Sequence, residues 1–145
     1  MKRLLLTAMV GALACGTAMA DRWHLVVTSG KPIEVAWYIN FASIERNKNT
    51  AKAWLLLANF DRRQEFDAAL ELREVNCKKK QSRILQADLY KNYKYVRTIN
   101  QNPYEYMTPG SAAELIGKVI CNPKPQNHYF FDLDDPKDLA RMLLE

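Results

Sequence analysis

Ala51-Lys52-Ala53-Trp54-Leu55-Leu56-Leu57-Ala58-Asn59-Phe60 is the stretch on which the fold turns. Read as a strand, it is apolar on both faces. Ala53, Leu55 and Leu57 take one side, and Trp54, Leu56 and Ala58 take the other. Side chains alternate across a strand, so both faces need cover. Such a strand is central in its sheet, covered either by two layers of its own chain or by one helix and a partner.

Shorter strands extend outward from it in both directions. Asn47-Lys48-Asn49 is a turn, and Asn40 to Arg46 reads as an irregular or 3₁₀ segment. Ile33 to Ile39 alternates, with Ile33, Val35, Trp37 and Ile39 on one face and Glu34, Ala36 and Tyr38 on the other. Ser29-Gly30-Lys31-Pro32 is a turn, and Trp23 to Thr28 is a β-branched and aromatic strand. On the C-terminal side, Asp61 to Glu65 is a charged loop and Phe66 to Cys77 is a strand whose phase slips. Leu70 and Leu72 share one parity, Val75 and Cys77 the other. A bulge near Arg73-Glu74 or a short helical turn accounts for that. Ser82 to Tyr90 and Tyr93 to Ile99 form a hairpin about Lys91-Asn92, and Asn100 to Pro109 is a loop with Pro103 and several aromatics.

Ser111-Ala112-Ala113-Glu114 is a capping box, in which the hydroxyl and the carboxylate each satisfy an orphan backbone N–H. Ala112, Leu115, Ile116, Val119 and Ile120 follow at helical spacing as one apolar stripe. The expectation is an α+β fold: about six strands in a mostly antiparallel sheet, with one helix packed on one face. Residues 122–145 differ in character. Asn122-Pro123-Lys124-Pro125 is an extended linker, Tyr129-Phe130-Phe131 is an apolar patch, and Asp135-Pro136 opens a C-terminal tail helix through Leu144. Leu139, Met142 and Leu143 are its apolar side, which either docks on the domain or crosses to a neighbour as an oligomer arm.

Residues 1–20 read as a signal peptide. Met1-Lys2-Arg3 is basic, Leu4 to Leu13 is apolar but for Thr7, and Ala18-Met19-Ala20 is an A-x-A cleavage site. The run is shorter than the ~20 apolar residues a membrane span needs. Cleavage after Ala20, which discards Cys15, is the preferred reading. The alternative is a lipoprotein modified at Cys15, with Ala12-Leu13-Ala14 as a partial lipobox. The organisation is then a signal peptide over 1–20, one domain over 21–121, and a Pro-containing linker with a helix over 122–145.

Export makes the cysteines easy to read. Cys77 and Cys121 remain after cleavage, and an even pair in an oxidising compartment forms one disulfide that ties the helix end to the sheet. A redox or metal-bound pair is the weaker alternative, because no CxxC exists and His24 and His128 are the available imidazoles. Loss of Lys2 and Arg3 leaves 19 of the 21 Lys+Arg against 16 Asp+Glu, a net charge of +3. A mildly basic body suits glycosaminoglycan, anionic lipid, lipopolysaccharide phosphate or an acidic protein; ordinary solubility charge is the plain alternative.

Four stretches together carry a family resemblance. They are Ser43-Ile44-Glu45-Arg46-Asn47-Lys48-Asn49 followed by Ala53-Trp54, then Glu74-Val75-Asn76-Cys77, then Pro109-Gly110-Ser111-Ala112-Ala113-Glu114, then Leu115 through Cys121. Over roughly residues 23–121 the chain resembles the bacterial surface-adhesin protein E-like family. The resemblance implies a six-stranded antiparallel sheet with a helix on its curved face and a signal-bearing envelope protein. For the family's namesake it implies adhesion to host extracellular-matrix protein and a dimeric state. Two features depart from the pattern: Tyr106 stands where Trp is usual, and the 24-residue tail after Cys121 is extra.

Two basic segments are candidate binding surfaces. Lys78, Lys79, Lys80 and Arg83 resemble the spacing of a heparin-binding consensus, and clustered cations of this kind release counterions when they meet sulfates or phosphates. Tyr90-Lys91-Asn92-Tyr93-Lys94-Tyr95-Val96-Arg97 interleaves rings with Lys91, Lys94 and Arg97. Outside the cytoplasm nucleic acid is not its partner; the rings pack in the hairpin or contact a protein or glycan. For either segment a solvated face is the plain alternative.

Catalysis has no motif behind it: G-x-S-x-G, H-E-x-x-H and the P-loop are all missing. Glu71 and Glu74 could lie close, as could Asp132, Asp134 and Asp135; the trio suits at most loose Ca²⁺ binding, because the EF-hand pattern with its Gly and terminal Glu is absent. Met107 and Met142 read as packing. The expectation is a non-enzymatic, exported envelope binding protein without cofactor or metal, an adhesin for host extracellular-matrix protein or acidic glycan. It is expected in the periplasm or at the cell surface or outer membrane of a Gram-negative bacterium, with a homodimer as its candidate oligomer, and touches the membrane only if lipidated at Cys15. The alternative is a periplasmic structural or accessory subunit of an envelope complex.

Overall fold

A computed structural model describes residues 22–31, 34–61, 63–92, 94–124 and 130–132. The signal peptide expected over residues 1–20 with its Cys15, and also His128, Tyr129, Asp134 and the tail helix expected over Asp135–Leu144, lie outside the described residues. The strands are β1 (Arg22–Ser29), β2 (Val35–Asn40), β3 (Glu45–Asn47), β4 (Thr50–Asn59), β5 (Ala68–Asn76), β6 (Gln81–Lys91), β7 (Lys94–Asn100), β8 (Glu105–Tyr106) and β9 (Phe130–Asp132); the helix α1 is Ala112–Cys121. Every pairing among the described residues is antiparallel. The order across the sheet is β7-β6-β5-β4-β2-β1-β9, with β3 beside β4 and β8 beside β6. The expected six strands are all present. Three short ones, β3, β8 and β9, raise the count to nine; each is too brief to carry an alternation in sequence.

β4 is central, and its two apolar faces meet two different clusters. Ala51, Ala53 and Leu55 join Ile39, Val75, Ile116 and Ile120 beneath α1. Leu56 and Ala58 join Trp23, Ala36 and Tyr38 on the other face, with Trp54, Phe60 and Leu70 packed against them. β2 is therefore buried on both faces through Ile39 and Tyr38, not on one alone. In β1 the register with β2 steps from Leu25 to Val27. The extra residue, Val26, lets both Val26 and Val27 reach the cluster under the helix.

The expected bulge at Arg73-Glu74 is corrected. β5 pairs with β4 without interruption from Ala68 to Asn76. The irregularity lies on β6, where Leu72 faces Gln86 and Arg73 faces Ile84, which leaves Leu85 as the extra residue. The apparent phase slip of β5 is simply a strand whose apolar residues serve both faces: Leu70 packs in one cluster and Val75 in the other. The same alternation puts Glu71 and Glu74 on opposite faces, so they do not form a pair. Glu71 is buried and ion-paired to Arg73 on its own face. Glu74 pairs with Arg83.

α1 begins as the sequence requires. The Ser111 hydroxyl accepts from Glu114 N at 3.2 Å, while the Glu114 carboxylate accepts from Gly110 N at 2.8 Å, one residue earlier than in the standard box. The buried face is Ile116, Gly117 and Ile120, and Leu115 turns outward at 40 % exposure. Gly117, not Leu115, is in the buried face, and Met107 packs so close to it that a Cβ would not fit without a shift. The Cys77–Cys121 disulfide, with Cα atoms 5.7 Å apart, pins the helix end beside β5. β9 adds to β1 of its own chain, so this part of the tail docks in cis.

Candidate functional site

The two basic segments occupy opposite ends of β6. Eleven residues separate them along an extended strand, roughly 35 Å at ~3.3 Å per residue. Lys78, Lys79 and Lys80 lie in the β5–β6 turn at the disulfide end, whereas Lys91, Lys94 and Arg97 lie at the β6–β7 hairpin. They form no single patch.

The hairpin end is largely neutralised by the loop before β5. Arg97 makes a two-point pair with Glu65, Nε to Oε1 at 3.0 Å and Nη2 to Oε2 at 3.2 Å. Lys91 Nζ donates to the Gln64 carbonyl at 3.0 Å, and Asn92 N donates to Asp67 Oδ2 at 2.7 Å. Lys94 is exposed. Tyr95 stands edge-on to Tyr90, with ring centroids 6.2 Å apart, and is 59 % exposed. β7 is an edge strand, but Val96 bulges out of its register and Lys94 and Arg97 stand along it, two features that discourage edge-to-edge pairing.

Arg83 does not stand with the lysines. Its guanidinium is held by Glu74 Oε1, from Nε at 2.9 Å and Nη2 at 2.6 Å, and lies 4.4 Å over the Tyr104 ring. The pairing with Glu74 raises the Arg83 pKa further, and burial holds the Tyr104 phenol above its ordinary value. Next to this pair Lys52 meets Glu45 at 3.0 Å. A cleft of about 380 Å³ opens over the row Glu45, Lys52, Glu74 and Arg83. Every charge in that row is already matched; Arg46, which also lines the cleft, turns its guanidinium to the carbonyls of Ile120 and Cys121.

The disulfide end is different. Cys77 N donates to the Asn49 carbonyl at 3.0 Å, which joins the β3–β4 turn to the β5–β6 turn. Asn76 Oδ1 accepts from Lys79 N at 3.0 Å and shapes the second turn. Lys80 adopts φ +54°, and its carbonyl accepts from Met107 N at 3.0 Å. Lys80 also helps hold the Glu114 carboxyl below its ordinary pKa, after the larger effects of the Gly110 N–H and Lys118. Lys48, Lys78 and Lys79 are exposed and have no ion-pair partner among the described residues. A groove of about 200 Å³ opens at the same end, lined by Arg46, Asn47, Lys48, Asn49, Cys77 and Cys121 among others; of the three lysines, Lys48 lines it. Lys48 stands thirty residues before Lys78 in the chain, so no local run of basic residues includes it; the hydrogen bond from Cys77 to Asn49 brings the two turns side by side.

Chemistry on a substrate has no constellation here. Both described cysteines are bonded to each other, and His24 is buried with its ring edge-on to Phe41 at 4.5 Å. Among the described residues no three His, Cys, Asp or Glu side chains converge as metal ligands, and no helix is long and apolar enough to cross a membrane.

Comparison with known proteins gives one match. The model of the surface-adhesin protein E family covers residues 23–122, while no curated protein and no solved structure matches the chain. The matched region takes in the six long strands, the helix and both disulfide cysteines, and on that match the chain belongs to the surface-adhesin protein E family.

Proposed function

We propose that this chain is an exported, non-enzymatic adhesin of a bacterial envelope that holds a host extracellular-matrix protein or acidic glycan through its basic surface. One observation carries the reading. Lys78, Lys79 and Lys80 are exposed on a turn whose first residue, Cys77, is covalently tied to α1 and hydrogen-bonded to the neighbouring turn. Cations held on a fixed turn lose less conformational freedom on binding than cations on a mobile loop. Family membership agrees with a surface role, and the absent catalytic motifs agree with binding without turnover.

Retention on immobilised heparin and on solubilised basement-membrane matrix tests this, alongside protease access to the protein on intact cells. Wild type binds and is cleaved from outside, and Lys78→Ser/Lys79→Ser/Lys80→Ser binds weakly. Equal retention of that variant would reduce the turn to surface charge. Protection from protease until the outer membrane is opened would favour the periplasmic accessory role instead.

A further inference from the structure

We infer that the disulfide end of the sheet is a composite site for a sulfated oligosaccharide, built from Lys48, Lys78 and Lys79 with Tyr106 as a ring platform. The inference rests on the adhesin reading above and names its ligand class and residues. It adds two side chains, Lys48 and Tyr106, and excludes Arg83, whose charge Glu74 already holds.

The geometry begins with register. Thr50 faces Asn76, and Asn49 accepts from Cys77 N. Lys48 and Lys78 are the next residues outward on these two turns, so their side chains start from adjoining stretches of backbone. Like charges on adjoining turns repel over distances up to about the Debye length of ~8 Å. An anion bridging them relieves that repulsion and releases counterions.

A helix C-terminus also opens at this end, and its carbonyls repel anions. Arg46 removes that obstacle, because its guanidinium donates to the carbonyls of Ile120 and Cys121. The groove, lined by Arg46 and Lys48 and by no carboxylate, is thereby left positive.

Tyr106 extends the site sideways. It pairs with Gln81, the residue after the lysine turn, and is 78 % exposed. A ring so exposed contributes little to the core, yet it offers an apolar face beside cations, the pattern of a contact residue. From β3 to β8 the row crosses four strand spacings, roughly 20 Å, room for several sugar units. Sulfate and phosphate share the anion chemistry, but only a sugar polymer supplies rings for Tyr106.

The test uses the secreted chain with its disulfide intact, a heparin octasaccharide and inorganic polyphosphate as probes, and calorimetry at several salt concentrations. Lys48→Ser and Lys78→Ser each weaken octasaccharide binding by roughly fivefold, the scale of one charge contact, and each lowers the salt slope by about 1. Tyr106→Ala weakens the octasaccharide by a similar factor and leaves polyphosphate unchanged. Lys94→Ser changes neither probe. Circular dichroism and a thiol count confirm that each variant folds and keeps its disulfide. If Lys78→Ser weakens binding but Lys48→Ser does not, the composite site is overturned and the adhesin reading survives. If Tyr106→Ala has no effect, or polyphosphate loses equally, the ligand is not read as a glycan. If wild type binds neither probe nor matrix, the adhesin reading falls with it.

Discussion

The guanidinium of Arg46 donates to the backbone carbonyl of Cys121, 75 residues further along the chain. Arg46 faces Ala51 in the β3–β4 pairing, on the side of the sheet that carries α1. One side chain therefore satisfies carbonyls that a helix end leaves without partners, beside the sulfur bridge that fastens the same turn. Arg46→Ala is expected to cost about 1–2 kcal/mol in urea denaturation, and Arg46→Lys about half of that. Cys77→Ser/Cys121→Ser costs up to about 4 kcal/mol from loop entropy. Because both devices hold one helix end, the triple variant should differ from the sum of the two losses.

The buried pair Glu71–Arg73 gives a second expectation. Glu71 is 4 % exposed, and its carboxylate is engaged by Arg73 two residues along the same face. Arg73→Met strands a buried charge and should cost about 3–5 kcal/mol, while Glu71→Leu/Arg73→Met should recover most of the loss. Equal loss in the single and double variants would show that packing, not charge, governs this position.

Gly117 and Met107 should couple. A Cβ at Gly117 would stand 2.5 Å from Met107 Sδ and 2.9 Å from its Cε. Alanine favours the helix by about 1 kcal/mol over glycine, but the crowding costs ~1–3 kcal/mol. Gly117→Ala is expected to destabilise wild type modestly and to stabilise a Met107→Ala background. A thermodynamic cycle from denaturant melts measures the coupling.

The helix cap sets a pH dependence. The Gly110 N–H, and next Lys118 at 2.9 Å, hold the Glu114 carboxyl below its ordinary value of 4.5. Its stabilising contribution is complete above that ordinary value and is lost as the pH falls through the lower folded value. Thermal melts should show wild type above Glu114→Gln at pH 6, with the gap closing toward pH 3. Asp61 is displaced in the same direction by Arg63, so the difference between the two proteins, not the wild-type curve, is the measurement.

Much of the framework could be read locally. Apolar patterning, β-branched and aromatic content and turn residues located the six long strands, Ser111 and Glu114 located the helix start, and the cysteine pair located its anchor. Two features could not be read locally. Leu115 and Gly117 flank Ile116, each about 100° round the helix from it, and the close approach of Met107 to Gly117 turns the buried face to that side. The β5 bulge was misplaced because both β5 faces carry apolar residues, which imitates a slip, while the true extra residue, Leu85, sits on the partner strand.

The candidate site was half visible. Three consecutive lysines announce themselves, but the fate of a charge depends on what stands opposite it. Glu74 reaches Arg83 and Glu65 reaches Arg97 only after strands pair, and the turn that carries Lys48 meets the turn that carries Lys78 through the hydrogen bond from Cys77 to Asn49. Chain-local chemistry (caps, turns, alternation and the sulfur count) was determined by the sequence alone, because those forces act within a few residues. Which cations are cancelled and which stay open to a ligand was decided by tertiary structure, because ion pairing is short-ranged in space and its partners lie up to 32 residues apart in the chain.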